Sequence, residues 1–507
     1  MKKIMLLFVR VFFFLAVVNT TAIYAQKTQN YVVINASDNG QDIIAKAANI
    51  TPSPRQLRWQ QLELTAFLHF GMNTFTNQEW GDGKEDTKLF NPTNLDATQW
   101  VRTCKEAGIK QVIVTAKHHD GFCLWPSKYT EHSVKNSPWK NGQGDVVKEV
   151  ADACHQQGIG FGIYLSPWDR NNPDYGDTEK YNAYFMNQLT ELLSNYGKVD
   201  EVWFDGANGT GPNGKKPAYH FEAWYSLIRS LQPGAVIAIM GPDVRWVGTE
   251  SGYGRQSEWS VVPLDEQSNT GTEQNSQKDI SFAPKGDMTG DDLGSRDKIA
   301  KAKELVWYPA ETDVSIRPGW FYHEAEDTKV KSPEKLMDIY YSSVGRNSVL
   351  LLNIPPDKRG LINEQDQKNL KEWKNIIDNT FKTNLVKDTK IISANGINPR
   401  ALLNGNVNNY WTTKNQDTTA TIQMNLAKPQ TFDVLLLQEN IAIGQRIEKF
   451  NLEYFDGKNW ELITEGTTVG AKRLIRFKAI TAQRVRLKII SSRSNPALIA
   501  MGLYKQP

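Results

Sequence analysis

The chain has 507 residues, 40% hydrophobic and 10% aromatic, enough to bury a large core and to make more than one domain. Its 59 basic and 56 acidic residues are interspersed and leave a net charge of +3, so there is no polycationic surface of the kind that grips nucleic acid. Cys104, Cys123 and Cys154 are odd in number and lack CxxC spacing, which argues against a disulfide framework or a zinc knuckle and reads as buried free thiols.

Residues 1–25, MKKIMLLFVRVFFFLAVVNTTAIYA, join a basic start to an apolar run and close on a small residue, the pattern of a cleaved signal peptide. Arg10 interrupts the run and Asn19, Thr20 and Thr21 end it, leaving too few apolar residues to span a bilayer. The expectation is export to the periplasm or beyond, with no membrane span in the mature chain. A polar leader, 26–53, follows.

From 54 to about 380, short apolar runs alternate with amphipathic segments. The runs 64–70, 111–115, 159–166, 201–205, 236–240, 305–309 and 349–354 are mostly continuous rather than alternating in polarity, as strands buried on both faces are. Segments 96–107, 145–157, 181–196 and 220–231 between them carry helical periodicity. Regular alternation over this length predicts a (β/α)8 barrel of the TIM type. An open doubly wound sheet fits less well, because no GxGxxG follows the first strand. A Gly/Ser/Thr/Asp/Gln-rich stretch near 266–297 reads as a long loop over the barrel mouth. A polar helix at 368–384 ends the pattern. Beyond it, across 386–507, the short alternating runs 420–426, 431–438, 449–454, 460–463, 473–477 and 484–490 predict an antiparallel β-sandwich of jelly-roll type.

Barrel active sites form at the C-terminal ends of the strands. His69 ends the first run, His118 and His119 follow the second, Tyr164 lies near the end of the third, and Asp205 closes the fourth in VWFDG. Hydrolysis of a glycosidic bond by double displacement needs a carboxylate that attacks carbon and a carboxylic acid that protonates the leaving oxygen. Asp205 fits the first role. For the second, Glu250 and Glu258 both lie in RWVGTESGYGRQSEWS, where Trp246, Tyr253 and Trp259 can desolvate a carboxyl, and sequence alone does not choose between them. Adjacent residues on a regular strand face opposite ways, so His118 and His119 can share one cavity only if at least one lies beyond the strand end or on a distorted backbone. The same alternation makes them awkward joint metal ligands, and no HExxH spacing is present, so neither metal nor cofactor is expected.

FLHFGMNTFTNQEWG, TAKHHDGFCLWPSKYT, VWFDGANG and VRWVGTESG together resemble the α-L-fucosidases of glycoside hydrolase family 29, over about 54–356. The resemblance implies a retaining exo-α-L-fucosidase with Asp205 as nucleophile. It implies Glu250 as acid/base, in a WVGNE-like motif of members favouring α-1,3/4-linked fucose on branched, Lewis-type glycans; Thr249 stands where Asn is frequent, and Glu258 is the alternative. It also implies that His69, Glu79, Trp80, His118, His119 and Tyr164 hold the sugar, with Trp203 beside the nucleophile. Trp320, in RPGWFYHE after run 305–309, is a further wall candidate. A deoxy sugar offers hydroxyls and one methyl, so it needs several donors and acceptors and an apolar wall. NNYWTT and RVRLKI in the C-terminal region resemble discoidin-like or family 32 carbohydrate-binding sandwiches. The implied partner is a fucosylated oligosaccharide or glycoconjugate. A metal-dependent hydrolase and a catalytically inert sugar-binding barrel are the alternatives from other classes.

Overall fold

The computed structural model describes residues 29–264 and 292–507; the expected signal segment 1–25 and the stretch 265–291 of the expected mouth loop lie outside them. Eight parallel strands make one sheet: β1 (Leu64–Leu68), β2 (Gln111–Lys117), β3 (Gly160–Leu165), β4 (Glu201–Phe204), β5 (Val236–Ile239), β6 (Arg245–Trp246), β7 (Ala310–Ser315) and β8 (Val349–Asn353). Their order, β5-β4-β3-β2-β1-β8-β7-β6, is sequential around a ring, and a parallel bridge between Ala238 and Val244 joins the two ends. The sheet is therefore a nearly closed TIM-like barrel.

The helices that wrap it begin where the sequence places carboxylate caps. Asp96 accepts from Gln99 N ahead of helix Ala97–Glu106, and Asp145 accepts from Lys148 N ahead of Val146–Gln157, satisfying backbone donors that the first turn leaves open. Gly158, at φ 67°, ends the second helix in the left-handed conformation. One apolar cluster fills the space between strands and helices. A second, with Phe67, Ile113, Tyr164, Trp203, Val349 and Leu351, fills the barrel interior.

Two parts depart from ideal (β/α)8 order. No helix separates β5 from β6: the chain turns directly at Ile239, whose φ of 67° is rare for a β-branched residue and stores backbone strain. Between β6 and β7 the chain leaves the barrel. Val261–Pro263 and Glu304–Trp307 pair antiparallel, and Tyr31–Val33 adds the third strand of that small sheet. The run 305–309 expected in the barrel therefore belongs outside it, and β7 follows directly. Residues of the expected leader are built in as well, as that edge strand and as helix Gly40–Ala48, which opens on a capping box at Asn39.

Helix Glu364–Phe381 leads to an antiparallel β-structure with a core of its own, including Trp411, Leu435, Phe450 and Leu487. Runs expected as separate strands are continuous here. Ala420–Glu439 and Arg473–Ser492 each span 20 residues and pair with one another through register shifts at 425/430 and 432/434. The sandwich meets the barrel through apolar packing, with Val434, Leu474 and Tyr504 joining the barrel's cluster, and through polar contacts: Ala471 N donates to Asn347 Oδ1 at 2.7 Å, Ser260 N to Gln445 Oε1 at 2.7 Å, and Arg476 meets Asp338 at 2.8 Å.

Candidate active site

At the C-terminal end of the barrel, one cavity is lined by His69, Trp80, His118, His119, Tyr164, Trp203, Asp205, Glu250 and Trp320, together with Phe67, Ala207, Ile239, Trp246 and Asp313. Apart from the alternative acid/base Glu258, nine of the ten side chains singled out in the sequence thus meet in one place, although their elements are spread over the whole barrel. The tenth, Glu79, stands behind the wall. Its carboxylate accepts from Trp320 N at 2.8 Å and Phe321 N at 3.2 Å and contacts His323 Nε2 at 2.6 Å, so it fixes the Trp320 loop.

Asp205 directly follows β4, and both of its oxygens are held. Ala207 N donates to Oδ1 at 2.8 Å, and the Tyr164 hydroxyl donates to Oδ2 at 2.9 Å. Tyr164 is itself fixed by stacking on Trp203, with centroids 5.2 Å apart and planes 19° apart, and the Trp203 indole donates to buried Glu311 at 2.7 Å. A carboxylate oriented in this way loses little entropy on reaching an attack geometry.

His118 and His119 lie just past the last residue of β2, on a turn in which Gly121 N donates to His118 O at 3.0 Å and Phe122 N to Asp120 Oδ1 at 2.6 Å. Gly121 has a φ of 81°, and a Cβ there would come within 2.4 Å of Asp169 Oδ1, so only glycine fits. Leaving the strand is what lets both rings face one cavity, with centroids 4.1 Å apart.

Hydrogen bonding fixes how two of the imidazoles present themselves. Asn353 Nδ2 donates to Ser315 Oγ at 2.9 Å and to Trp320 O at 2.7 Å, which leaves Asn353 Oδ1 toward His69 Nδ1 at 2.9 Å. That nitrogen carries the proton and Nε2 is an acceptor. Ser166 Oγ gives its proton to Trp168 O at 2.6 Å and so accepts from His119 Nδ1 at 2.7 Å, again leaving Nε2 as the acceptor. His119 Nε2 stands 3.8 Å from Asp205 Oδ2. Burial pushes His69 down to about 3 and His119 down to about 4, and holds His118 well below the ordinary histidine range. All three are neutral at physiological pH, suited to gripping uncharged hydroxyls rather than to transferring protons.

Glu250 lies on the segment after β6, where Trp320 Nε1 donates to its Oε2 at 3.2 Å. Burial, reinforced by the nearby Asp313 and Asp205 carboxylates, pushes its carboxyl up to about 8, so it holds a proton at neutral pH. The runner-up, Glu258, is fully buried elsewhere. It is paired with Arg245 and Arg255, and Arg255 N donates to Oε2 at 3.3 Å. It does not line the cavity; Gln445 of the sandwich donates to its carbonyl at 3.0 Å.

Asn353 and Asp313 escaped the sequence reading. Asp313 sits in β7, AETDVS, where Glu311, Asp313 and Ser315 occupy alternate positions. A strand that turns a polar row into the barrel interior does not read as a continuous apolar run. Its period-2 spacing of charge was the available signal. No group of three His, Cys, Asp or Glu side chains suited to a metal occurs among the described residues. Cys104, Cys123 and Cys154 are free and buried.

A barrel mouth that brings an oriented carboxylate and a protonated carboxyl to one cavity has the two groups that glycoside hydrolysis uses. Comparison with known proteins specifies which kind. Residues 44–378 match the family description Alpha-L-fucosidase, and residues 372–501 match the F5/8 type C domain, the discoidin-like sandwich. The chain belongs to the α-L-fucosidase family, glycoside hydrolase family 29. Alpha-L-fucosidase 1 of Arabidopsis thaliana is 44% identical over 464 residues, covering 89% of this chain and 87% of that protein. A structure described as a putative α-L-fucosidase from Bacteroides ovatus superposes with a TM-score of 0.83 at 49% identity, covering 94% of this chain and 78% of the other. A family 29 fucosidase from Ruminococcus gnavus in complex with fucose superposes at 0.80 with 34% identity, covering 90% and 95%.

Proposed function

We propose that this protein is an exported, retaining exo-α-L-fucosidase that removes terminal fucose from glycans, favouring α-1,3 and α-1,4 linkages on branched, Lewis-type oligosaccharides. Residues 54–380 form its catalytic unit, and residues 386–507 form a sandwich that braces it. One observation carries the mechanistic reading: Asp205 and Glu250 face one cavity, the first with both oxygens oriented and the second kept protonated by burial.

In the first step an Asp205 oxygen attacks the anomeric carbon as the bond from that carbon to the leaving oxygen breaks, and Glu250 gives its proton to that oxygen. The product is a fucosyl ester on Asp205 and a free acceptor glycan. In the second step Glu250, now a carboxylate, takes a proton from water. The water oxygen attacks the anomeric carbon, and the ester bond breaks to restore Asp205. Two inversions give net retention. Tyr164 O–H stabilises the Asp205 charge before attack and after release. His69 and His119 offer acceptor nitrogens to sugar hydroxyls, and His119 Nε2, 3.8 Å from Asp205 Oδ2, accepts from a hydroxyl close to the nucleophile. Phe67, Trp203 and Trp320 supply an apolar wall for the ring and its methyl group.

The WVGTE stretch supports the linkage preference, and the basic-apolar-small pattern of residues 1–25 supports export. The test is fucose release from a panel of Lewis-type trisaccharides, 2'-fucosyllactose and an α-1,6-fucosylated chitobiose. Release from the Lewis-type members alone is the predicted outcome. Comparable release from all three replaces the narrow reading with a broad-specificity fucosidase, and no release from any contradicts the activity.

A further inference from the structure

The site holds a third carboxyl that the two-carboxyl mechanism does not use. Asp313, 4% exposed, lines the same cavity as Asp205 and Glu250. Its backbone also controls where Glu250 lies. β6 pairs with β7, Val247 N donates to Glu311 O at 2.9 Å, and Gly252 N donates to Asp313 O at 3.1 Å. The segment that carries Glu250 is thus pinned at both ends to the strand that carries Asp313. Each carboxyl receives one indole N–H: Trp246 Nε1 reaches Asp313 Oδ1 at 2.8 Å, and Trp320 Nε1 reaches Glu250 Oε2 at 3.2 Å. The charged groups facing Glu250 are Asp313 from β7, Asp205 from the end of β4 and Glu79 from the segment after β1. All are carboxyls, and the neighbouring histidines are neutral.

Resting on the reading of Glu250 as acid/base, we propose that above neutral pH Asp313 carries the charge in their common cavity and is the positioning residue that keeps the remaining proton on Glu250. Two carboxylates in one desolvated cavity repel, so the last proton of the pair is held tightly. The better-bonded carboxyl keeps the charge. The shorter indole bond falls on Asp313, which leaves the proton on Glu250, where the leaving oxygen needs it. After the first step both carboxyls are ionised, and the same repulsion drives Glu250 to take the proton of the incoming water. Burial, with the Asp205 carboxylate, raises Asp313 to about 7.

The test is the pH profile of kcat/KM for the panel member that the wild type cleaves fastest. With Asp313→Asn the like charge is gone, and the basic limb moves to lower pH by about one unit, an activity loss of about tenfold at pH 9 with little change at pH 6. Trp246→Phe, which takes the indole from Asp313 and so lets Asp313 hold a proton to higher pH, moves the same limb to lower pH by a smaller step, and this readout stands if Asp313→Asn does not fold. A limb that stays in place in the folded variants, or a loss by the same factor at every pH, overturns the proposal. Glu250→Gln, measured alongside, abolishes the limb; if the limb survives there, the assignment of Glu250 fails, whatever Asp313 does.

Discussion

The chemistry of this site depends on groups that aim the reactive side chains as much as on those side chains themselves. Asn353 is the clearest case. One amide sets the proton of His69 on Nδ1 and holds the carbonyl of Trp320, so a single residue at the end of β8 orients both a hydroxyl acceptor and the wall beside it. Asn353→Leu removes both bonds while keeping a similar volume, and it should raise KM for a fucoside about tenfold while leaving kcat within a factor of a few, because losing a hydrogen bond to an aimed group costs about 1–2 kcal/mol. An unchanged KM would show that His69 is held by packing alone.

At the scale of elements, the β6 region is the least regular part of the barrel and carries Glu250. The two-residue β6 is reached without a helix and is followed by an excursion braced by the buried Glu258, Arg245 and Arg255 and by Gln445 of the sandwich. Glu258→Gln should therefore lower the free energy of unfolding by about 3 kcal/mol, because buried arginines lose their counter-charge, while the basic limb of the pH profile stays where it is. Equilibrium denaturation together with that profile checks both halves, and a lost limb with normal stability would return Glu258 to the catalytic role. The same irregularity explains what the sequence could reveal. Strands β1 to β5 and β8 are apolar runs, and the caps Asp96 and Asp145 mark where helices start, so most of the barrel and nearly all of the cavity were legible. β6 is too short to leave a pattern, and β7 hides its strand character behind Glu311, Asp313 and Ser315, so the apolar run 305–309 reads as the barrel strand in its place. Likewise HHDG reads as a cluster of reactive residues, and only the turn at Gly121 shows how adjacent histidines serve one cavity.

Across the whole molecule, the buried titratable groups pull stability in opposite directions with pH. His69 and His119, depressed to about 3 and about 4, are protonated more readily in the unfolded chain, so their contribution is present above about 6.5 and is lost as pH falls toward 4. Burial raises Glu201 in the barrel floor and Glu250 at its mouth to about 8, and raises Glu311 as well; their contribution is complete below about 4.5 and is lost as pH rises through 8. Between pH 6.5 and 8 only the carboxyl effect operates among these groups. The melting temperature of Glu201→Gln should accordingly fall less steeply than that of the wild type over that range, and parallel slopes would show that Glu201 ionises without cost. The central claim is that Asp205 becomes covalently fucosylated during turnover. Its most direct test is to inactivate the protein with 2-deoxy-2-fluoro-α-L-fucosyl fluoride and map the label by peptide mass spectrometry. One fluorofucosyl group is expected on the peptide containing VWFDG, at Asp205; a label on another carboxylate, or no label while fucosides are still turned over, would rule Asp205 out as the nucleophile.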